Sequence, residues 1–282
     1  MIFPDNKNSL SSSIKKQEQE FFDHKYLCFL DLSDKNISSF RNNSLISFDK
    51  FLKFLPPKHI INKYILEIGC NDGRYLNYFL KKGAHLAVGT DLSLLAMKRG
   101  IKNKYFPVSN EIIPAHPNIY IQSDFDNPAF KNNSFDTILI IRSLHHFHDI
   151  NDLIKNCFQL LKNNGFLIIV DPNGINPLRK IADYVGKYLG SMSQDEKSLG
   201  LQDVIHFLNS NNFAVTSSYS FNIISEPLLH LSEISYSKHT LLFRLFSFLL
   251  ILANKIEKYL ESAVLIRYPN VSWSYIVIAE KS

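Results

Sequence analysis

Between residues 64 and 170 short apolar runs alternate with helix-forming stretches, and no other feature narrows the possible folds so far. Period and length predict strands over 64–68, 86–90, 119–122, 135–141 and 165–170, with helices between them over 73–82, 94–99 and 150–162. Nearly continuous apolar strands separated by helices are what a parallel sheet requires when both faces are covered. Right-handed crossovers then give an α/β, doubly wound sheet whose ligand crevice lies beyond the carboxyl ends of the strands. The chain of 282 residues is long enough to bury such a core and carry additions to it.

The flanks read differently. Residues 1–13 are polar and expected to be loose. A helix is expected over 14–32, with Phe21, Phe22, Tyr26 and Phe29 sharing part of one face, and another over 45–55, stopped by Pro56-Pro57. Beyond Asp171 the pattern predicts a loop and helix in PNGINPLRKIADYVGKYLG, a helix over 201–209, and strands over 213–221 and 273–279. The expected organisation is a helical N-terminal extension (1–59), a ligand-binding core (60–222), a helical insertion (223–272) and a final core strand (273–282). A net charge of +5 with 20% charged residues is mild, and the basic residues are scattered, so no strong nucleic-acid signal follows. Cys28, Cys70 and Cys157 show no C-x-x-C pairing, which argues against a disulfide framework or a zinc site and suits a reducing cytoplasm. The first twenty residues lack the apolar run of a secretory signal.

Acidic residues stand at successive expected strand ends: Glu67 at the end of the first, Asp91 at that of the second, Asp124 at that of the third. In a doubly wound sheet they converge on one crevice. A carboxylate at Asp91 suits a ribose diol, and one at Asp124 suits an adenine amino group. Gly69 and Gly73 in ILEIGCNDGRYL let backbone approach a ligand that a Cβ would obstruct. A dinucleotide site prefers G-x-G-x-x-G, but after Gly69 this chain offers Asn71 and Gly73.

Taken in order, EIGCNDG, GTDLS, SDF, FDTILIIRSLHHF and LLKNNGFLIIVDPN resemble the class I S-adenosylmethionine-dependent methyltransferases, with the nearest likeness to small-molecule enzymes of the ubiquinone-biosynthesis type. The resemblance spans roughly 60–175 and implies a seven-stranded, mostly parallel sheet that binds S-adenosyl-L-methionine and no metal. By that likeness Glu67, Gly69 and Gly73, with Cys70 and Asn71 between the glycines, shape the turn beside the methionine portion. Asp91 binds the ribose, Leu92 flanks the adenine, Asp124 with Phe125 holds the adenine edge, and Arg142 with Ser143 lines the floor near the sulfonium. Asn71 departs from the glycine that the family often has here; Asn tolerates unusual backbone angles better than most residues.

The acceptor is sought in IRSLHHFHD (141–149). No N/D-P-P-aromatic motif follows the fourth strand, which disfavours N-methylation of exocyclic amines, and Cys157 sits within an expected helix rather than in a Pro-Cys pair. His145 and His146 are the candidate catalytic bases, because imidazole titrates near neutrality; the plainer alternative is packing beneath the site. His148-Asp149 reads as a helix start. The expected reaction is O- or C-methylation of a small acceptor, lipid-linked or glycan-related, with two rivals: an RNA (tRNA) methyltransferase and a non-catalytic methyltransferase-like binding protein. Finally, LLFRLFSFLLILA (241–253) is too short to span a bilayer as a helix. It is expected to serve as a lid over an apolar substrate, as peripheral contact with the inner face of a membrane, or as a buried or dimer-forming helix.

Overall fold

The computed structural model describes residues 49–282, except 104, 109–110, 126–127, 129, 189–195, 230–239 and 266–267, together with 16, 17, 19 and 20. The helix expected over 14–32 otherwise lies outside the described residues, as does the start of the one expected over 45–55. What is described of the latter is a 3-10 helix, Asp49–Phe54.

Nine strands are described: β1 (Tyr64–Ile68), β2 (Leu86–Asp91), β3 (Tyr105–Val108), β4 (Glu111–Pro114), β5 (Ile119–Gln122), β6 (Phe135–Ile141), β7 (Leu161–Pro172), β8 (Phe213–Phe221) and β9 (Ser274–Lys281). Seven of them form one sheet in the order β5-β2-β1-β6-β7-β9-β8, and β3 and β4 make a separate antiparallel pair. The pairs β1–β2, β1–β6, β2–β5 and β6–β7 are parallel; β9 runs antiparallel to both β7 and β8. The order reverses between β1 and β6, which puts a ligand crevice at their carboxyl ends. Because β9 runs backwards, its first residues also lie at that edge.

Six helices follow the same logic: α1 (Arg74–Lys81), α2 (Leu94–Lys102), α3 (Ile150–Leu160), α4 (Pro177–Tyr188), α5 (Leu201–Ser210) and α6 (Thr240–Val264). Alternation along the strands sorts the core into two layers. Leu66, Ile68, Leu167, Ile169 and Val277 pack on one side with Ile154 of α3 and Val204 of α5. Ile65, Ile168 and Ile276 pack on the other with Phe79 of α1 and Phe51 of the 3-10 helix. Capping fixes where helices begin: Ser93 Oγ accepts from Ala96 N at 3.1 Å at the start of α2, and Asp149 accepts from Asp152 N at 2.9 Å at the start of α3. Cys157 is buried within α3, as a core residue.

Candidate active site

The site begins with the turn from β1 into α1. Gly69 and Gly73 stand at φ +72° and +71°, and Asn71 between them at +54°. The left-handed conformation falls where the family's glycine is replaced, and Asn accommodates it. Gly69 is also sterically obligatory: a Cβ there would lie 2.4 Å from the Cβ of Ser143. Ser143 Oγ donates to the Ile68 carbonyl at 2.8 Å, so the ends of β1 and β6 are stitched together.

Around this turn the carboxylates gather. Glu67 is buried, and its Oε2 has no hydrogen-bond partner. Burial pushes its carboxyl well above the usual range, more than Arg74 pulls it down. Asp91, at the end of β2, accepts from Asn71 N and Ser93 N, each at 2.8 Å. Leu92 is half-buried beside it, its carbonyl accepting from Gln122 Nε2 at 3.0 Å. Cys70 is buried against Leu76 and Met97, and burial raises its thiol well above the ordinary value, so it is a packing group rather than a nucleophile. Asp124 is exposed past the end of β5.

Phe125 and Arg142 also make contacts within the protein. Phe125 packs in the core layer beneath α3, its carbonyl accepting from Asn156 at 3.2 Å. Arg142, expected on the crevice floor, donates its guanidinium to Glu226 at 2.7 Å and Ser274 at 3.4 Å, across β7 toward the start of β9. Its φ of +53° makes it the only non-asparagine among the described non-glycine residues of positive φ, and its N–H bonds the Val170 carbonyl at 2.7 Å.

Beyond Ser143 the chain makes one 3-10 turn, Leu144–His146. His145 Nδ1 lies 2.8 Å from Asp171 Oδ1, in the interior. His146 is half-buried, its ring 4.1 Å from that of His145. Burial, with His146 beside it, holds His145 well below its ordinary value. Burial also pushes Asp171 up to about 8, although His146, Arg142 and Arg179 pull it down. The pair thus keeps one proton between its two members near neutral pH. Tyr275 is the β9 partner of Asp171 in register, so both side chains project from the same face. Tyr275 Oη and Asp171 Oδ2 are buried without hydrogen-bond partners. In the sequence Asp171 stands at the crevice rim, readable equally as a substrate contact or a strand-ending turn, and Tyr275 sits in an unbroken apolar strand and carries no local signal. Among the described residues no cluster of His, Cys, Asp and Glu could hold a metal.

Residues 66–169 match the sequence family described as a methyltransferase domain. The tRNA U34 carboxymethyltransferase of Helicobacter hepaticus is 31% identical over 44% of this chain and 39% of its own length. The phthiotriol/phenolphthiotriol dimycocerosates methyltransferase 1 of Mycobacterium ulcerans is 25% identical over 48% and 47%. The chain spans about half the length, or less, of the curated relatives it matches. Among solved structures, the magnesium protoporphyrin IX methyltransferase of Synechocystis PCC 6803, with bound SAH, superposes with a TM-score of 0.58 at 12% identity over 95% of this chain and 100% of that one, which establishes a common fold. Residues 66–169 are thus a methyltransferase domain, on a fold shared with S-adenosylmethionine-dependent methyltransferases.

Proposed function

We propose that the protein transfers a methyl group from S-adenosylmethionine to an oxygen or carbon of a small, apolar or glycan-related acceptor, with His145, held by Asp171, removing the acceptor's proton. The observation that carries this reading is the buried His145–Asp171 contact of 2.8 Å, three residues from Arg142 and two from Ser143, the residue packed on Gly69. The residues fit the cofactor. Gly69 and Gly73 hold the turn where a Cβ would strike Ser143 and Tyr120, Asp91 and Asp124 stand at or just past the neighbouring strand ends, and the buried, unpartnered Glu67 Oε2 is an acceptor that a cationic ammonium would satisfy. When bound, that group supplies an electrophilic methyl on a sulfonium. The chain's own part is to align the acceptor, exclude water and move a proton.

Asp171 orients the imidazole through Nδ1, leaving Nε2 as the atom that accepts a proton. His145, held well below its ordinary value, is already neutral near neutral pH, and loss of the Asp171 proton as pH rises through about 8 strengthens it as a base. A screen of acceptors for S-adenosylhomocysteine release tests the proposal. Turnover is expected to rise with pH toward 8, and His145→Gln to lower kcat by about a hundredfold or more while cofactor binding persists. Unchanged kcat in His145→Gln would reject the assigned base. A second reading, transfer to tRNA, draws on the relatives named tRNA U34 carboxymethyltransferase; tRNA in the same screen discriminates it.

A further inference from the structure

Two helices at the carboxyl edge of the sheet turn apolar faces outward. α4 leaves the end of β7, its first turn tied by Asn176 to the carbonyls of Val271 and Ser272 at 3.0 Å. α6 leads back into β9 at the same edge. On α4 the exposed residues Leu178, Ile181, Val185 and Tyr188 recur at spacings of three and four, with Tyr184 beside them. On α6 the exposed stripe is Leu245, Phe248, Leu252, Ile256 and Tyr259, again at three and four, while Leu250 and Ala253 form the buried stripe. These are not grazing exposures: Leu178 is 63% exposed, Tyr188 83%, Phe248 63% and Tyr259 70%. Apolar helix faces of this extent mark a surface that something covers.

The charges say what covers them. The carboxylates of both helices turn inward. Asp183 pairs with the buried Arg179, and Glu257 and Glu261 are buried against Lys50 and Lys53. Among the described side chains, what remains exposed beside the apolar stripes is cationic: Lys180 on α4 and Lys255 on α6. Tyrosines and lysines flanking an apolar stripe suit the boundary between water and acyl chains, where the ring and the lysine stem bury and the polar tip stays wet. No described helix is long and apolar enough to cross a membrane. We propose that α4 and α6 rest in the plane of an anionic lipid surface, bringing the carboxyl edge of the sheet, with His145 and Asp171, toward it.

Co-sedimentation of the full chain with vesicles tests this without any methyl acceptor. The chain is expected to pellet with phosphatidylglycerol-containing vesicles, more weakly with pure phosphatidylcholine, and less at high salt. Phe248→Ser with Ile256→Ser, and separately Ile181→Ser with Tyr184→Ser, should each lower the partition coefficient by about tenfold or more, with thermal melting unchanged because the positions are exposed. Failure to pellet with either vesicle would overturn the proposal. So would a concentration-dependent dimer in sedimentation equilibrium that the same substitutions disperse, because the faces would then meet a second copy.

Discussion

At the scale of residues, one buried carboxyl connects stability to chemistry. Asp171 holds its proton in the folded protein up to about pH 8, whereas the unfolded carboxyl releases it near 3.8. The folded state therefore binds the extra proton between those values, and the stability this gives is lost as pH rises toward 8. His145, lowered from 6.5, acts in the opposite sense, but only as pH rises toward that value. Above pH 6.5 the Asp171 effect stands alone within the pair. Between pH 6.5 and 8 the protein is expected to lose about 1–2 kcal/mol more than Asp171→Asn does. Urea titrations at the two pH values measure the difference, and parallel losses in both proteins would refute a proton on Asp171. Asparagines at φ +54° to +62° at 62, 71, 133, 164, 212 and 222 show another residue-scale effect. Their abundance reads as composition in the sequence, yet six of them occupy left-handed positions that most side chains resist. Arg142 takes the same conformation without that tolerance, and its N–H bond to Val170 and ion pair with Glu226 hold it there.

At the scale of elements, α6 is fastened by carboxylates rather than by its apolar length alone. Glu257 accepts from the amides of Ile223, Ile224 and Ser225 and pairs with Lys50; Glu261 accepts from Asn222 N at 2.8 Å and pairs with Lys53 at 2.9 Å. Replacing Glu257 by Ala would leave the largely buried Lys50 ammonium only its longer contacts to Glu261 (3.4 Å) and Ser225 (3.3 Å) and take the acceptor from three amides at once, an expected loss of about 3 kcal/mol or more. Proteolysis within α6 should accelerate accordingly, and an unchanged cleavage rate would show that the helix is held by something else. None of these pairings is visible in the sequence, because the partners stand far apart in it: Lys50 and Glu257, for example, meet only through the fold. The strands were legible where an apolar run meets polar punctuation, as at Tyr64–Ile68, Phe135–Ile141 and Phe213–Phe221. The pair β3 and β4 escaped, because Pro107 and Pro114 lie within it and proline demotes a strand in any pattern reading. The end of α6 was hidden too: its apolar run stops near residue 253, but helix-forming Lys and Glu carry it to Val264.

At the scale of the whole molecule, strand order does what no single motif can. Parallel β2, β1 and β6 bring Asp91, the glycine turn and Ser143 to one edge, and antiparallel β9 delivers Tyr275 to the same edge beside Asp171. The cofactor half of this arrangement was readable because its residues follow consecutive strands at short range. The acceptor half was not, since it joins β6, β7 and β9 through buried side chains. The central claim is that the edge over β1 and β2 receives S-adenosylmethionine through Asp91, and isothermal titration calorimetry of the full chain tests it most directly. Saturable binding of S-adenosylmethionine, none of NAD, and a loss of about tenfold or more in Asp91→Ala are the predicted results. Binding of NAD in place of S-adenosylmethionine, or undiminished affinity in Asp91→Ala, would contradict the account.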